Sequence, residues 1–257
     1  MKDFKIAAVI PARMSSIRYP GKPLIDIEGL PMVEHVRRRV LLCDGFSEVI
    51  VATCDPEIRD AIETFGGKVI MTSKKHFMAS DRVAEVALSL DFSHFVNIQG
   101  DEILVIPDDI NKMVKSIQKN PDGEYWNAIA PIEKMEELSD AAIVKCVISN
   151  SGRILYCARD FTHLNLKLSF SPVQKILGIL GYSRKSLLAF SQLSRTLLES
   201  SQSIDQLRII EHEIPLISVN FANGYPGIND SREEKIVRKI LQSDSKQQSI
   251  LKKILSF

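Results

Sequence analysis

The stretch IAAVIPARMSSIRYPGKPL, residues 6–24, decides the fold of this chain, because an apolar run leads directly into a cationic turn. The run at residues 6–10 is wholly apolar and is followed by Pro11, a pattern typical of a strand that is buried on both faces of a parallel sheet. The turn carries three cationic side chains within ten residues, namely Arg13, Arg18 and Lys22. A buried strand that leads into a polar turn indicates an α/β domain, whose ligands collect beyond the carboxyl ends of the strands.

The alternation of short apolar runs with helical patterns continues to about residue 102. The predicted elements are helices over residues 31–42 and 80–90 and from residue 56, and strands over residues 48–53, 68–71 and 95–98. Asp55 is the predicted N-cap of the helix that begins at residue 56, with Pro56 at its first position. Strands that alternate with helices of about a dozen residues pair in parallel through right-handed crossovers. The sequence therefore predicts a doubly wound, mostly parallel α/β sheet with ligand-binding loops after its first and fourth strands.

The second half of the chain is less regular, and it contains no linker, internal repeat or low-complexity segment. The predicted elements are strands over residues 126–130, 146–148, 154–158, 175–182 and 216–219, helices over residues 185–191, 204–211 and 231–241, and a short tail helix. We interpret the chain as a single domain over residues 1–257. A small β-rich insertion at about residues 146–181 is expected to carry substrate contacts or a dimer interface.

The composition argues against several classes of function. With 33 Lys and Arg against 32 Asp and Glu, the formal net charge is only +1, so no overall basic field exists to hold nucleic acid or a membrane surface. No apolar run reaches the roughly 18 residues needed to span a bilayer, and the amino terminus does not resemble a signal peptide. The four cysteines lack C-x-x-C spacing, which favours reduced thiols and a cytoplasmic location.

The cationic turn suits a nucleoside triphosphate. Guanidinium groups bind phosphate oxygens through paired N–H donors, a lysine adds a point charge, and a glycine allows the backbone to approach closely. The turn is neither a Walker A loop nor a dinucleotide-binding loop, because both glycine patterns are absent. A solvated basic loop without a ligand is the other interpretation, but the place directly after the first strand favours phosphate binding.

A second candidate site follows the fourth strand, in the sequence NIQGDE at residues 97–102. A carboxylate at this edge of the sheet can bind Mg²⁺, which prefers one or two carboxylates together with phosphates and water. A simple Gly-Asp turn between a strand and a helix would have the same sequence. The residues by themselves leave both interpretations open.

A series of longer motifs runs in order through nearly the whole chain. They are I-P-A-R-x-x-S-x-R-x-P-G-K-P-L at residues 10–24, G-x-P-M-V-x-H-V at 29–36, V-A-T at 51–53, F-G-G-K-V-x-M-T at 65–72, V-N-I-Q-G-D-E at 96–102, V-K-C-V at 144–147, L-Y-x-x-R at 155–159, L-G-I-x-G-Y at 177–182 and Q-L-R at 206–208. In this series the chain resembles the 3-deoxy-manno-octulosonate (Kdo) cytidylyltransferases, which make CMP-Kdo for lipopolysaccharide. One motif would be weak evidence, whereas the ordered series is specific.

The resemblance implies roles for individual residues. The nucleotide-binding residues that it implies are Ala12, Arg13, Ser15, Ser16, Arg18, Lys22, Ser80 and Arg82. The implied sugar-binding residues are Gln99, Arg159 and Gln206, and Asp101 is the implied metal ligand. Arg13, Lys22 and Asp101 are the residues implied for catalysis.

The resemblance also implies a reaction, a cofactor and an assembly. The anomeric hydroxyl of the sugar would attack the α-phosphorus of CTP and release pyrophosphate, with Mg²⁺ and the cationic turn stabilising charge on the phosphoryl oxygens. The partners are then CTP and an acidic 3-deoxy sugar, with no nucleic acid and no insertion into a membrane. The implied fold is that of the nucleotide-diphospho-sugar transferases, and the implied assembly is a homodimer through the β-rich segment.

The chain departs from the family pattern mainly at the ligand end. Where the family has G-V-D-T-P-E-D, with a second metal-binding aspartate, this chain has Gly-Ile-Asn-Asp-Ser-Arg-Glu at residues 227–233. The second metal ligand is therefore Asn229 or, one residue further on, Asp230, which would equally serve to cap the following helix. The other departures are Ile176 for a histidine, Ile103 for a proline, Ala79 for a glycine and Cys54 for an acidic residue.

Three interpretations remain open at this point. The protein is an active enzyme for Kdo or a closely related 3-deoxy-ulosonic acid, a catalytically weakened paralogue that acts as a nucleotide-binding or partner protein, or a cytidylyltransferase for another acidic sugar. The intact cations of the turn and Asp101 favour the first interpretation, whereas the departures at Asn229 and Ile176 favour the second. The third fits the Q-L-R and L-G-I-x-G-Y segments less well.

Overall fold

The computed structural model describes residues 4–16, 18–76, 78–164 and 172–257. The strands, numbered in chain order, are β1 (Ile6–Ala12), β2 (Asp26–Ile27), β3 (Leu30–Pro31), β4 (Glu48–Thr53), β5 (Lys68–Met71), β6 (His94–Ile98), β7 (Tyr125–Pro131), β8 (Lys145–Ile148), β9 (Ile154–Ala158), β10 (Val173–Ser183) and β11 (Leu216–Asn220). The helices are α1 (Met32–Leu41), α2 (Pro56–Thr64), α3 (Ala79–Ser89), α4 (Pro107–Lys119), α5 (Arg184–Phe190), α6 (Leu197–Gln202), α7 (Gln206–Glu211), α8 (Ser231–Ser243) and α9 (Ser245–Leu255). None of the described helices is both long enough and apolar enough to cross a membrane.

Within the described residues, nine strands form one sheet in the order β11-β7-β10-β6-β1-β4-β5, with β8 and β9 attached beside β10. Strand β1 pairs in parallel with β4 and β6, and β4 pairs in parallel with β5. Strand β10 runs antiparallel to both of its neighbours in the main path, β6 and β7. The mostly parallel sheet predicted from the sequence is confirmed, and the carboxyl ends of β1, β4 and β6 meet at one edge.

The side chains of β1 alternate between two hydrophobic cores, because successive residues of a strand point to opposite faces of the sheet. Ile6, Ala8 and Ile10 pack in a core with apolar residues of α1, α4 and α8. Ala7 and Val9 pack in a second core, with residues of α3, α5 and α7. All seven residues of β1 are buried, which confirms the prediction of a strand covered on both faces.

The largest difference from the sequence prediction lies between β6 and β7, where α4 was not predicted. Its apolar side chains Ile110, Met113, Val114 and Ile117 follow the helical spacing and are buried. Pro107 occupies the first turn, where a missing N–H costs nothing. The short helix α6 was also not predicted, and the helix expected over residues 204–211 begins only at Gln206.

The predicted β-rich insertion at residues 146–181 is only partly separate from the main sheet. Strands β8 and β9 form a hairpin beside β10, but β10 itself continues between β6 and β7. Because β10 is eleven residues long, one strand can serve both the hairpin and the main sheet. Residues 165–171 of the predicted insertion lie outside the described part of the chain.

Candidate active site at the carboxyl edge of the sheet

The cationic turn after β1 folds back on itself through its own backbone. The N–H of Gly21 donates to the carbonyl of Met14 at 3.2 Å, and the N–H of Tyr19 donates to the hydroxyl of Ser16 at 3.3 Å. Gly21 has a φ of 74°, a left-handed conformation that favours glycine and lets the chain enter a short 3-10 turn at Lys22–Leu24. Of the predicted ligand-binding residues here, Arg13, Ser15 and Arg18 are exposed, Ser16 and Lys22 are half-buried and Ala12 is buried.

Asp55 anchors this turn from the neighbouring strand. Its Oδ2 atom accepts a hydrogen bond from the backbone N–H of Met14 at 2.7 Å. The sequence predicted that Asp55 would cap α2, and it does stand at that position, but its side chain makes no capping hydrogen bond. The carboxylate holds the turn instead, because the parallel pairing of β1 and β4 places residues 12 and 53 side by side.

The two segments singled out in the sequence meet at this edge. The Nζ atom of Lys22 lies 2.8 Å from Oδ2 of Asp101, and the two side chains are 13% and 20% exposed. The backbones of the two segments also lie close together, since a Cβ atom on Gly100 would be 3.0 Å from the carbonyl oxygen of Pro11. A lysine and an aspartate 79 residues apart in the chain thus form one partly exposed charged pair.

The loop before α8 is the third segment of the site. The N–H of Ile228 donates to the carbonyl of Asp101 at 3.2 Å. A Cβ atom on Gly227 would lie 2.9 Å from the same carbonyl oxygen, so the loop can lie this close only because residue 227 is a glycine. The loop therefore packs directly on the turn that carries Asp101.

Side chains of this loop and of α8 hold the cationic turn. The Nη2 atom of Arg18 donates to Oδ1 of Asn229 at 3.1 Å. The hydroxyl of Tyr19 donates to the carboxylate of Glu234, and this hydrogen bond raises the pKa of Tyr19. The cationic turn, the Asp101 turn and the Asn229 loop are thus linked by hydrogen bonds.

Of the two candidate second metal ligands, Asp230 is engaged as a helix cap. Its carboxylate accepts from the backbone N–H groups of Arg232 and Glu233, at 2.8 Å and 3.2 Å. Hydrogen bonds from the side chain and backbone of Arg232 lower the pKa of Asp230 to about 2. Asn229, rather than Asp230, is the residue bonded to the cationic turn.

The side chains of Asp101 and Asn229 determine which kind of metal site could form here. Among the described residues, no group of three or more His, Cys, Asp or Glu side chains could hold a metal ion by itself. Asp101 offers a carboxylate, and the Asn229 side chain has an oxygen on the Arg18 side. These two oxygen-bearing side chains fit Mg²⁺, which is commonly held by one or two protein ligands and by substrate phosphates.

Glu102 belongs to the NIQGDE motif and lies in the site, although the sequence alone does not indicate a role for it. Its Oε1 atom accepts from the N–H of Gly178 at 2.7 Å, and the N–H of Gln99 donates to the carbonyl of Gly178 at 2.9 Å. Burial, together with the neighbouring Asp101, raises the pKa of Glu102 to about 7. A Cβ atom on Gly178 would lie 2.7 Å from Glu102, so only glycine allows β10 to come this close.

The residues predicted to bind the sugar lie in different settings. Gln206 is buried and donates through Nε2 to Oδ1 of Asn127 at 2.8 Å. Gln99 packs against Gly178. The guanidinium of Arg159 is directed at the backbone carbonyls of residues 141, 202 and 203, the closest at 2.6 Å, so in this structure it ties the end of α6 to the segment after β7.

The predicted nucleotide residues on α3 are buried and already bonded within the protein. The hydroxyl of Ser80 donates to Oδ2 of Asp205 at 3.1 Å. Arg82 donates to the hydroxyl of Thr72 and to the sulfur of Cys54. Burial raises the pKa of Asp205 to about 6. That Ser80 and Arg82 contact a nucleotide stays a prediction.

Known proteins are similar in sequence to this chain over most of its length. A family model described as cytidylyltransferase matches residues 7–219. The 3-deoxy-manno-octulosonate cytidylyltransferase of Myxococcus xanthus is 41% identical over 219 residues, which cover 84% of this chain and 88% of that protein. The 8-amino-3,8-dideoxy-manno-octulosonate cytidylyltransferase of Shewanella piezotolerans is 38% identical over 212 residues, which cover 80% of this chain and 86% of that protein.

A solved structure agrees with the sequence comparisons. The structure of CMP:2-keto-3-deoxy-manno-octonic acid synthetase complexed with CTP superimposes with a TM-score of 0.88 at 33% identity, covering 93% of this chain and 99% of that one. Sequence and fold therefore lead to the same relatives. The chain belongs to the family of the 3-deoxy-manno-octulosonate cytidylyltransferases and is a nucleotidyltransferase.

Proposed function

We propose that the protein transfers CMP from CTP to the anomeric hydroxyl of Kdo or of a closely related 3-deoxy-ulosonic acid and releases pyrophosphate, for the synthesis of lipopolysaccharide or another surface sugar. The observation that carries this proposal is the pairing of Lys22 with Asp101 at 2.8 Å, where the cationic turn meets a carboxylate at the ligand edge of the sheet. The relatives act, by their names, on Kdo and on its 8-amino counterpart. Both sugars are therefore candidate substrates.

In the proposed mechanism, the cationic turn binds and orients the triphosphate. Arg13 and Arg18 are exposed and can each donate two hydrogen bonds to phosphate oxygens, while Lys22 adds a point charge. Asp55 keeps the turn in place through the Met14 N–H. Because phosphoryl transfer needs little covalent chemistry from the protein, positioning and electrostatic stabilisation supply most of the rate enhancement.

We propose Mg²⁺ as the cofactor, held by Asp101 with Asn229 as the second protein group. When bound with the triphosphate, the ion would neutralise charge that develops on the phosphoryl oxygens. The partly exposed carboxylate of Asp101 supports this role. The hydrogen bonds that the Asp230 carboxylate accepts from the N–H groups of Arg232 and Glu233 argue against Asp230 as the ligand.

We propose further that the protein works in the cytoplasm as a homodimer. CTP as the substrate and four free thiols favour a reducing compartment. Leu155 and Tyr156 on β9 are 52% and 40% exposed, and such apolar exposure in the predicted β-rich segment supports a subunit contact there. Sedimentation analysis tests this directly, since Leu155→Asp should convert a dimer to a monomer.

Pyrophosphate release tests the proposed reaction. The protein is incubated with CTP, Mg²⁺ and a panel of 3-deoxy-ulosonic acids that includes Kdo and 8-amino-3,8-dideoxy-manno-octulosonate. We expect release with at least one acid, loss of release in Asp101→Ala, and normal release in Asp60→Ala, which removes an exposed carboxylate of a surface pair. CTP binding without release for any acid would support the weakened paralogue instead.

A further inference from the structure

A buried asparagine on β7, between β11 and β10, has both polar atoms of its side chain engaged. Asn127 lies on β7 and is 0% exposed. Its Nδ2 atom donates to the carbonyls of Ala128 and Leu177, at 2.7 Å and 3.0 Å. Its Oδ1 atom accepts from Nε2 of Gln206 at 2.8 Å. Asn127 therefore connects β7, β10 and α7 through one side chain.

The strand pairing explains why the carbonyl of Leu177 needs this donor. The register between β10 and β7 shifts between Ile176 and Leu180, so the regular ladder is interrupted at Leu177. A partly buried carbonyl that lacks both water and a protein donor destabilises the fold. The amide of Asn127 supplies the hydrogen bond that the irregular strand pairing leaves out.

These partners determine which way the Asn127 amide points. Backbone carbonyls only accept hydrogen bonds, so the NH₂ group must face Ala128 and Leu177. A flipped amide would place its oxygen against two carbonyl oxygens and leave buried groups unpaired. Oδ1 therefore faces Gln206 as a fixed acceptor.

The fixed orientation of the Asn127 amide also fixes the orientation of the Gln206 amide. Only the NH₂ end of the Gln206 amide can donate to Oδ1 of Asn127, so its carbonyl end is turned to the other side. Among residues 4–16, 18–76, 78–164 and 172–257, no hydrogen bond reaches Oε1 of Gln206, and the residue keeps 8% of its surface exposed. Gln206 thus offers an acceptor to a ligand.

We propose that Asn127 is a positioning residue that orients Gln206 so that its carbonyl oxygen selects a hydrogen-bond donor on the sugar, a hydroxyl or an ammonium group. The inference rests on the proposed function, since it takes Gln206 to be a sugar-binding residue. The acceptor on Gln206 also restricts where the carboxylate of the sugar can bind. An acceptor repels a carboxylate, so the acid group of the substrate must bind elsewhere, against cationic side chains.

Substituted sugars test the polarity of Gln206. The probes are Kdo and analogues in which one hydroxyl at a time is replaced by hydrogen or by fluorine, because fluorine cannot donate a hydrogen bond. With the wild-type enzyme, kcat/KM should fall about tenfold for both the hydrogen and the fluorine analogue at one carbon. An amino group at that carbon should be tolerated, because it donates.

Two variants assign that effect to the proposed residues. Gln206→Met keeps the length of the side chain but removes the amide, and it should lower kcat/KM for Kdo about tenfold and abolish discrimination at that carbon. Asn127→Ala frees the Gln206 amide to rotate, so it should raise the KM for Kdo, leave the KM for CTP unchanged and reduce the difference between hydroxyl and fluorine. Gln192→Met, at an exposed glutamine that follows α5, is the matched control.

The outcomes separate this inference from the proposed function. Wild-type turnover of Kdo, combined with a Gln206→Met variant that treats every analogue as the wild type does, would overturn the inference alone. Efficient use of the fluorine analogue where the hydrogen analogue is poor would show that Gln206 donates, and would also overturn it. No turnover of any ulosonic acid by the wild-type enzyme would refute both. Gln206→Met decides the matter even if Asn127→Ala does not fold.

Discussion

Replacing Gly227 by alanine tests whether the loop before α8 must lie against the turn that carries Asp101. The added Cβ atom would lie 2.9 Å from the carbonyl oxygen of Asp101. Close carbon–oxygen contacts in proteins lie at about 3.3–3.6 Å, so the loop and the turn must separate by roughly half an ångström. The φ of Gly227 lies outside the left-handed region, so this contact, and not backbone strain, is what the substitution changes.

The separation has two consequences of different size. It stretches the hydrogen bond from Ile228 to Asp101, now 3.2 Å long, and the loss of that bond costs about 1 kcal/mol, or about 2–4 °C in Tm for a chain of this size. It also displaces Asn229 from Asp101. Because misplacement of reacting groups by about 1 Å can cost about a hundredfold in rate, we expect kcat to fall roughly ten- to a hundredfold.

The assay follows pyrophosphate release with CTP, Mg²⁺ and Kdo, together with thermal unfolding of the same samples. Pro226→Ala, a change in the neighbouring half-buried residue, is the matched control and should keep nearly normal kcat. Wild-type kcat in Gly227→Ala would refute the claim that this close contact positions the site. A fall in Tm of ten degrees or more would instead assign the loop to folding.

Three further substitutions have directions set by the structure. Asn229→Asp should lower the Mg²⁺ concentration needed for half-maximal rate a few-fold and raise kcat or leave it unchanged, because it adds an anionic oxygen beside Arg18. Burial raises the pKa of Asp205 to about 6, so the folded protein holds that proton more tightly than the unfolded chain. The free energy of unfolding should therefore fall as pH rises from about 4 to about 6, by up to about 3 kcal/mol, and urea titrations of Asp205→Asn should lack that fall. Glu199→Gln should lower stability by about 3–5 kcal/mol in the same titrations, because it removes the negative charge that is now paired with the buried Arg208 at 2.5 Å.

Strands buried in the sheet were the elements best predicted from the sequence. The predicted bounds of β4, β5 and β9 agree with the structure, and β1 is only two residues longer than its apolar run. A strand covered on both faces must be apolar throughout, so its composition reveals it directly. The helical spacing of α4 is present in the sequence as well, at Ile110, Met113, Val114 and Ile117, although that helix was not among the predicted elements.

The candidate site was predicted in part, and the missing part consists of supporting residues. The cationic turn and Asp101 stand at strand ends, and the parallel-sheet rule alone brings strand ends together. Asp55 was interpreted as a helix cap because local sequence shows only its neighbours, whereas its hydrogen-bond partner lies 41 residues away. The role of Asn127 cannot be predicted from the sequence, because an amide within an apolar strand has no local signature.

The sequence by itself determined the family, the sheet type and the two polar segments at the ligand edge, because motifs of neighbouring residues and their order along the chain are enough to reveal each of them. Only the tertiary structure decided that Asn229 rather than Asp230 bonds to the cationic turn, and that the side chains of Asn127 and Gln206, 79 residues apart, share a hydrogen bond. The physical reason is the short range of hydrogen bonds and packing contacts. A side chain's role depends on which groups the fold brings within about 3 Å of it. The packing of strands, loops and helices that are distant in the chain decides which groups these are.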